Sequence, residues 1–259
     1  MTTGLQRAAI VTGASRGIGL AIARVLASEG FGLTIAARGV DDLAAAATEL
    51  KAAGVEVQQV PTNVANEADI ARLVSEHERA FGRLDVLVNN AGMGVRAPIA
   101  GMTTKHLDLQ IAVNLRSVIL AYREAEALLR QAGQEHGRAL VVNVASISGK
   151  VGTADLSVYS ATKHGVVGFT DAMNRELYSA GIRSCVLCPG LVDTALSDYA
   201  KPHLPSSQMI SPADLGEAVR FLLRVSPACV IPELLFMEGA ALGLLKVPTS
   251  PADAIAASA

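Results

Sequence analysis

Short runs of aliphatic residues alternate along the chain with longer segments whose apolar positions recur at helical spacing. The short runs predict seven strands, at about 7–12, 31–37, 55–60, 84–89, 138–145, 182–188 and 233–237. The longer segments predict six helices, at about 18–29, 41–53, 67–81, 104–132, 158–180 and 212–225. Repeated strand–helix alternation is typical of right-handed βαβ units, with helices covering both faces of a parallel sheet.

Glycines punctuate the ends of the predicted helices, where a left-handed residue commonly stops a helix. They are Gly30, Gly54, Gly82, Gly133 and Gly181. Because no Pro- or Ser-rich linker divides the chain, we expect a single domain over residues 1–247 and a flexible tail over 248–259. The predicted fold class is therefore α/β, a Rossmann-type doubly wound parallel sheet of about seven strands.

Composition and charge narrow the choice of partners and of location. Apolar residues make up 51% of the chain and charged residues 18%, which is enough for an extended buried core. The net charge of −2 disfavours a nucleic acid or an anionic membrane as partner. Charged residues and prolines interrupt the late apolar stretch over 221–247, and the first residues lack a signal-peptide pattern. We therefore expect a soluble, cytoplasmic protein.

Two of the three cysteines, Cys185 and Cys188, have a spacing that also occurs in metal sites. However, both fall within a predicted strand, where side chains three residues apart point to opposite faces of the sheet. Since metal ligation normally needs a turn and further ligands, we expect structural cysteines and no metal site.

A glycine-rich turn between the first strand and the first helix has the context of a dinucleotide-binding loop. Its glycines allow a sharp turn and close approach of a pyrophosphate, while the helix N-terminus offers free N–H groups. The residues expected to contact the cofactor here are Gly13, Ser15, Arg16, Gly17, Ile18 and Gly19.

The end of the second strand indicates which dinucleotide is preferred. An acidic residue at this point would bind the adenosine ribose of NAD, but Arg38 stands there instead, with Arg16 in the glycine loop. Asp41 and Asp42 follow closely, although they are interpreted as the start of the next helix. Because arginine pairs well with a 2′-phosphate, the sequence predicts NADP(H).

Three polar side chains have the types and positions that carbonyl reduction requires. Tyr159 and Lys163 lie four residues apart on one face of a predicted helix, and Ser146 follows a strand at the carboxyl edge of the sheet. Tyr159 would protonate the developing alkoxide while Ser146 holds the carbonyl oxygen. Lowering a tyrosine pKa from about 10 to about 7 requires about 4 kcal/mol, which a lysine charge at about 4 Å could supply. Desolvation of the phenolate opposes this effect, and we expect the oxidised nicotinamide ring to help.

Together these motifs resemble the short-chain dehydrogenase/reductase family in its compact, NADP-dependent form, from about residue 5 to 240. The resemblance implies that Ser146, Tyr159 and Lys163 are catalytic and that Asn114 holds a water in a proton relay. Tyr159 and Lys163 would also contact the cofactor. The other cofactor contacts it implies are Asn63 and Val64 at adenine, Asn90, Ala91 and Gly92 beside the adenosine, and Pro189, Gly190, Val192 and Thr194 at the nicotinamide.

The resemblance also implies a homodimer or homotetramer, because its helices at about 104–132 and 158–180 pair between subunits. Small side chains such as Ala161, Val166 and Val167 would permit close packing there. The residues after the last strand depart from the family's glycine-rich acidic ending, so neither substrate nor quaternary structure follows from common members. Residues 196–210 are expected to form a lid over the substrate pocket.

The predicted function is reduction of a ketone or aldehyde, a small-molecule carbonyl, by NADPH. Three alternatives stay open at this point: an NAD-linked alcohol dehydrogenase of the same family, a non-catalytic NADP(H)-sensing protein, and a sugar-nucleotide epimerase or dehydratase. The last class usually carries a differently spaced glycine loop and a longer substrate domain, while a sensor is expected to have lost part of the Ser-Tyr-Lys trio.

Overall fold

The computed structural model describes residues 7–242 as a seven-stranded parallel sheet. The strands are β1 (Ala8–Thr12), β2 (Gly32–Ala37), β3 (Val57–Pro61), β4 (Val86–Asn89), β5 (Ala139–Val144), β6 (Ile182–Pro189) and β7 (Glu233–Phe236). The α-helices are α1 (Gly17–Ser28), α2 (Val40–Lys51), α3 (Glu67–Phe81), α4 (Thr104–Ile111), α5 (Ser117–His136), α6 (Ser157–Leu177) and α7 (Pro212–Arg224). The predicted fold class is confirmed.

The strand order is β3-β2-β1-β4-β5-β6-β7, so the chain builds outward from β1 in one direction and from β4 in the other. The sheet therefore reverses its direction of growth between β1 and β4, where Val11 pairs with Val88. In an open α/β sheet, the crevice at the carboxyl ends of two such strands is the usual place for a ligand.

Aliphatic side chains fill both faces of the sheet, as expected for buried parallel strands. On one face Val11 packs with Ile22 of α1 and Leu215 of α7, while on the other Ile10 packs with Leu129 of α5. The strand β6 follows the same rule: Cys185 lies in the α1–α7 cluster, whereas Cys188 packs with Val118 and Val166. The prediction that the two cysteines face opposite sides is confirmed.

The predicted helix over 104–132 is wrong in its continuity and in its end. A π-helical turn at Ala112–Arg116 separates α4 from α5, and α5 continues to His136 before Gly137 adopts the left-handed conformation. Gly133 lies inside α5 and not at its end. The position requires glycine because a Cβ there would overlap the Ala180 carbonyl oxygen. This glycine permits close helix packing rather than ending the helix.

Residues 196–210 form short 3₁₀ turns, Ala195–Ala200 and Ser206–Gln208. Ala200, Leu204 and Met209 bury a small apolar cluster beneath them. The predicted tail over 248–259 lies outside the described residues. Within residues 7–242 no helix combines the length and apolar character needed to cross a bilayer.

Candidate active site

The loops that follow β1 and β4 are tied together at the point where the strand order reverses. The Thr12 hydroxyl accepts hydrogen bonds from the backbone N–H groups of Asn90 (3.0 Å) and Ala91 (3.1 Å). In return, the Asn90 side-chain amide donates to the carbonyl oxygens of Thr12 (3.0 Å) and Gly13 (3.1 Å). These bonds hold the glycine loop and the Asn90–Gly92 turn as one rigid unit.

Three glycines in the first loop are required by backbone conformation and by space. Gly13 and Gly17 have φ of 65° and 56°, which non-glycine residues rarely adopt. A Cβ on Gly19 would overlap the Gly13 carbonyl oxygen, and one on Gly17 would lie 3.2 Å from the Thr194 methyl group. The glycine loop therefore touches the loop that follows β6.

The N-terminus of α1 points its free backbone donors into this crevice without a protein cap. Arg16 occupies the N-cap position, and its side chain makes no capping hydrogen bond. Arg38, directly after β2, is exposed like Arg16. Within residues 7–242 neither guanidinium has a hydrogen-bond or ion-pair partner, so both are free to meet an anion.

Ser146 and Tyr159 lie at the carboxyl edge of β5, next to β6. Ser146 follows β5 and caps a 3₁₀ turn, since its hydroxyl oxygen accepts from the Ser148 N–H (3.1 Å); the hydroxyl also donates to the Pro189 carbonyl (3.4 Å). Tyr159 lies in the first turn of α6. Burial raises the pKa of the Tyr159 phenol, and interaction with the Ser146 hydroxyl acts in the opposite direction.

Lys163 is buried one helical turn after Tyr159, and its ammonium donates to the Val144 carbonyl oxygen at 2.8 Å. Its Nζ lies 5.6 Å from the centre of the Tyr159 ring. Burial lowers the pKa of Lys163 to about 8. In the chain alone, burial is the dominant influence on the Tyr159 pKa, because the phenolate form loses its hydration.

Asn114 lies in the π-helical turn between α4 and α5 and is buried. Its amide oxygen accepts from the Met93 N–H and its amide nitrogen donates to the Met93 carbonyl, both at 2.8 Å. A Cβ built on Gly92 would lie 3.5 Å from both the Asn114 Oδ1 and the Lys163 Nζ. Asn114 and Lys163 thus both place a polar atom close to Gly92, beside the cofactor crevice.

The loop after β6 carries the remaining predicted contacts, Pro189, Gly190, Val192 and Thr194. A parallel bridge to Ile210 uses the Leu191 carbonyl and the Asp193 N–H, each at 2.9 Å. That pattern directs the Val192 backbone groups to the opposite side, and within residues 7–242 they have no protein partner. They are therefore available for an amide such as the nicotinamide carboxamide.

Glu238 holds this loop in place, although sequence analysis did not identify it. Its carboxylate accepts from the Leu191 N–H at 3.1 Å, and a Cβ on Gly190 would overlap one of its oxygens. The signal was present as an acidic residue just after β7, but only the parallel pairing of β6 with β7 brings it to the loop. The role of Thr12 likewise depends on tertiary pairing, because β1 lies beside β4 and brings the Thr12 hydroxyl to the Asn90–Gly92 turn.

The residues predicted to contact adenine, Asn63 and Val64, follow the end of β3. Asn63 is exposed and Val64 is half-buried. The Asn63 amide oxygen accepts from the Ala65 N–H at 3.2 Å, and its backbone N–H donates to Asp69 at 2.9 Å. The second lone pair of that oxygen and the amide nitrogen are left for a ligand.

These residues fit a nicotinamide dinucleotide from end to end. Exposed arginines flank one end of the crevice, an uncapped helix N-terminus lies at its middle, and unpaired backbone groups of Val192 lie near Ser146 and Tyr159. No metal-ligating group of three or more His, Cys, Asp or Glu side chains occurs in the described part of the chain. The arrangement can bind an anionic dinucleotide and deliver a proton beside it.

Comparison with known proteins identifies close relatives. The chain is 38% identical over 221 residues to the ketoacyl reductase HetN of a Nostoc species, covering 85% of this chain and 76% of HetN. A variant of the actinorhodin polyketide ketoreductase solved with NADPH superposes with a TM-score of 0.83 at 33% identity, covering 92% of this chain and 98% of that one. An alcohol dehydrogenase from Thermococcus sibiricus, complexed with 5-hydroxy-NADP, gives a TM-score of 0.80 at 31% identity, covering 88% and 95%.

The sequence profile of the family described as short chain dehydrogenase matches residues 7–204. This match spans the glycine loop, the Asn90–Gly92 turn and the Ser146, Tyr159 and Lys163 positions. The predicted family is confirmed, and the protein belongs to the short-chain dehydrogenase family of oxidoreductases.

Proposed function

We propose that the protein reduces a ketone or aldehyde with NADPH and that Tyr159 protonates the developing alkoxide. The observation that carries this proposal is the position of Ser146, Tyr159 and Lys163 at the edge of the sheet that also holds the uncapped N-terminus of α1. The Ser146 hydroxyl would donate to the carbonyl oxygen beside the phenol. Since burial keeps the Tyr159 phenol protonated, it is in the correct state to donate.

Lys163 and Asn114 would return a proton to Tyr159 after each turnover. Both side chains place a polar atom close to Gly92, and Asn114 is fixed by two hydrogen bonds to Met93. The Lys163 ammonium has one donor on the Val144 carbonyl, which leaves two for a ribose hydroxyl and a water. This ammonium would also stabilise the phenolate.

NADP(H) is the proposed cofactor, and it supplies the hydride when bound. The α1 N-terminus and the glycine loop would hold the pyrophosphate, with Asn63, Val64 and Asn90–Gly92 at the adenosine. Val192 and Thr194 would orient the carboxamide. Arg16 and Arg38, which lack protein partners within residues 7–242, would bind the 2′-phosphate; relatives solved with NADP or NADPH support this choice.

In this proposal the protein is a cytoplasmic homodimer or homotetramer that acts on a small carbonyl compound. Support for a reducing compartment comes from its cysteines, because the exposed Cys229 and the buried Cys185 and Cys188 are all free thiols. The ketoacyl reductases among its relatives favour a keto group on an acyl chain as the substrate.

Replacing Tyr159 by Phe tests the reaction directly. The variant keeps the ring but loses the hydroxyl that protonates the alkoxide. Because general acid catalysis typically contributes about a hundredfold to ten-thousandfold, we expect kcat to fall at least a hundredfold. NADPH oxidation with a panel of ketones, aldehydes and ketoacyl thioesters measures this loss.

Two controls accompany this experiment. NADPH affinity, titrated by fluorescence, should stay within about twofold of wild type, which shows that the variant is folded and binds its cofactor. The second control is Tyr122→Phe, which removes a buried hydroxyl that is hydrogen-bonded to the Ser184 hydroxyl in the core. This variant should leave turnover nearly unchanged. Wild-type turnover in Tyr159→Phe would refute the mechanism.

A further inference from the structure

The segment over residues 93–97 runs past the catalytic tyrosine on a fixed backbone. Met93 is bonded in both directions to Asn114, as described above. The Val95 N–H donates to the buried Gln110 amide oxygen at 3.1 Å, and the Ala97 N–H donates to the Asp155 carbonyl at 2.9 Å. Every second residue is thus anchored to a different part of the fold.

Burial alternates along this segment in the same way. Met93, Val95 and Ala97 are half-buried, whereas Gly94 and Arg96 are exposed. A Cβ built on Gly94 would lie 3.5 Å from the Tyr159 ring, so the exposed side of the segment is the side that faces the catalytic phenol. Two residues of extended chain span about 7 Å, which places the base of Arg96 about that far from Gly94.

The positive charge of Arg96 is not neutralised by the protein. Within residues 7–242 its guanidinium makes no hydrogen bond or ion pair, and its only close partner is the Tyr199 ring, with 4.5 Å from Cζ to the ring centre. Two nearby carboxylates in the sequence, Asp193 just before the lid over residues 196–210 and Asp198 on it, are both paired with Lys201, at 3.0 and 2.8 Å. Arg96 is therefore an available cation at the mouth of the site.

The Arg96–Tyr199 contact joins the segment after β4 to the lid over residues 196–210. Burial is the main cause of the raised pKa of the Tyr159 phenol, and the Tyr199 phenol adds to it. Because the guanidinium stacks on the Tyr199 ring, its five N–H donors stay unused. They point outward in the plane of the guanidinium, where a planar or tetrahedral oxyanion is bound.

We propose that Arg96 binds an oxyanion carried by the substrate, so that the preferred substrates are anionic carbonyl compounds. This inference rests on the proposed reductase function and names its substrate class. Tyr199 holds the guanidinium in position, and the lid closes the bound anion against it. The oxyanion is either the carboxylate of a keto acid or the phosphate of a thioester carrier arm, and both present the same chemistry to the guanidinium.

Pairs of substrates that differ only in a negative charge test whether that charge is recognised. One pair is a keto acid and its methyl ester; the other is a ketoacyl thioester of phosphopantetheine and the same thioester of pantetheine, which lacks the phosphate. The value of kcat/KM is measured for all four with wild type and with Arg96→Gln. The matched control is Arg130→Gln, which removes an arginine from α5 that pairs with Glu126.

A charge-assisted bond of this kind changes affinity by about tenfold to a hundredfold. We therefore expect Arg96→Gln to lower kcat/KM by that factor for the charged member of one pair, mainly through KM, and by less than about twofold for its uncharged partner. The pair that responds identifies the source of the oxyanion. Arg130→Gln should change neither pair.

Two results would overturn the inference. If Arg96→Gln lowers kcat/KM equally for charged and uncharged members, Arg96 only holds the lid through Tyr199; if it lowers neither, Arg96 has no role in the substrate site. Calorimetric binding of the keto acid in the presence of NADP⁺ gives a readout that does not require turnover. The ketoacyl phosphopantetheine thioester is titrated in the same way. Loss of binding of either anion in Arg96→Gln supports the inference even where the reductase reaction fails, and unchanged binding of both refutes it.

Discussion

Burial acts in opposite directions on the two titratable side chains at the heart of the site. It raises the pKa of the Tyr159 phenol and lowers the pKa of the Lys163 ammonium to about 8. Both shifts favour the neutral form, because a buried charge loses its hydration. At neutral pH the phenol is therefore protonated and the ammonium is still charged, which is the combination that carbonyl reduction requires.

The high-pH limit of the reaction should follow from Lys163. When pH rises above the Lys163 pKa of about 8, its ammonium loses its proton and with it the two functions proposed for it, binding of the ribose and support of the phenolate. We expect kcat/KM for NADPH, which reports the free enzyme, to fall as pH rises through about 8. A steady-state pH profile from 6 to about 10 measures this descent.

Lys163→Arg is the matched variant for this profile, since arginine stays charged throughout the range. Its overall activity is expected to be lower because the guanidinium does not fit the ammonium's position, but the descending limb should move to higher pH or disappear. A limb unchanged in Lys163→Arg would mean that another group titrates there.

The proposed preference for NADP(H) is assigned to Arg38 and Arg16, which no protein group neutralises within residues 7–242. One charge-assisted bond to the 2′-phosphate is worth about 1.5–3 kcal/mol, so we expect NADPH to bind at least tenfold more tightly than NADH. Arg38→Asp replaces the cation by a group that repels the phosphate and accepts from ribose hydroxyls. Fluorescence titration should show that the difference between NADPH and NADH affinity is smaller or reversed in this variant.

Arg79→Asp is the control for cofactor preference, because it makes the same change in charge on an exposed position of α3. It should leave the NADPH-to-NADH ratio within about twofold of wild type. Equal affinities of the wild-type protein for the two cofactors would contradict the assignment, whatever the variants do.

At the scale of elements, periodicity predicted the strands and most helices because it reports which face of each element is buried. Predicted bounds differ from the observed ones by one or two residues for most elements, and α3 was predicted correctly as 67–81. The prediction of one continuous helix over 104–132 is wrong because the apolar periodicity of α4 continues into α5. No local sequence pattern marks the π-helical turn at Ala112–Arg116. That turn is needed at Asn114, whose amide it directs to Met93.

The site was predicted where its residues follow strands or share a helix face, as for Ser146, Tyr159 and Lys163. It was not predicted where contacts join distant segments. Glu238 reaches Leu191 through the pairing of β6 with β7, and Arg96 reaches Tyr199 across the mouth of the site. Loop-to-loop contacts of this kind depend on tertiary packing, which single-sequence patterns do not encode.

For the whole molecule, the family match separates the proposed catalytic residues from the end of the chain. The family match covers residues 7–204 and includes every residue proposed to act on a proton. The last part of the lid, α7, β7 and Glu238 lie beyond that match. The residues proposed to carry out the reaction therefore lie in the part of the chain that matches the family.

The quaternary structure predicted from α5 and α6 needs one correction. Val166 packs in the core and is fully buried, so it cannot belong to a subunit interface. The exposed positions of α6 instead include Ala161, Gly168 and Ala172. These small side chains leave the helix backbone accessible, and a Cβ on Gly168 would meet no atom of its own chain within 4 Å.

Replacement of Gly168 by Arg therefore tests the predicted homodimer or homotetramer without disturbing the fold of one chain. In a single chain the arginine side chain extends into open space. Arginine also has a higher helix propensity than glycine, which offsets part of any loss of stability. Where two copies of α6 pack closely, the same side chain is too large and brings a charge into the interface. Light scattering at micromolar concentration should give an oligomeric mass for wild type and a smaller mass for Gly168→Arg, with circular dichroism unchanged. Arg175→Ala, an exposed change one or two turns further along α6, indicates how far the interface extends. A monomeric wild type would contradict the prediction, and an oligomer that tolerates Gly168→Arg would place the interface on another surface.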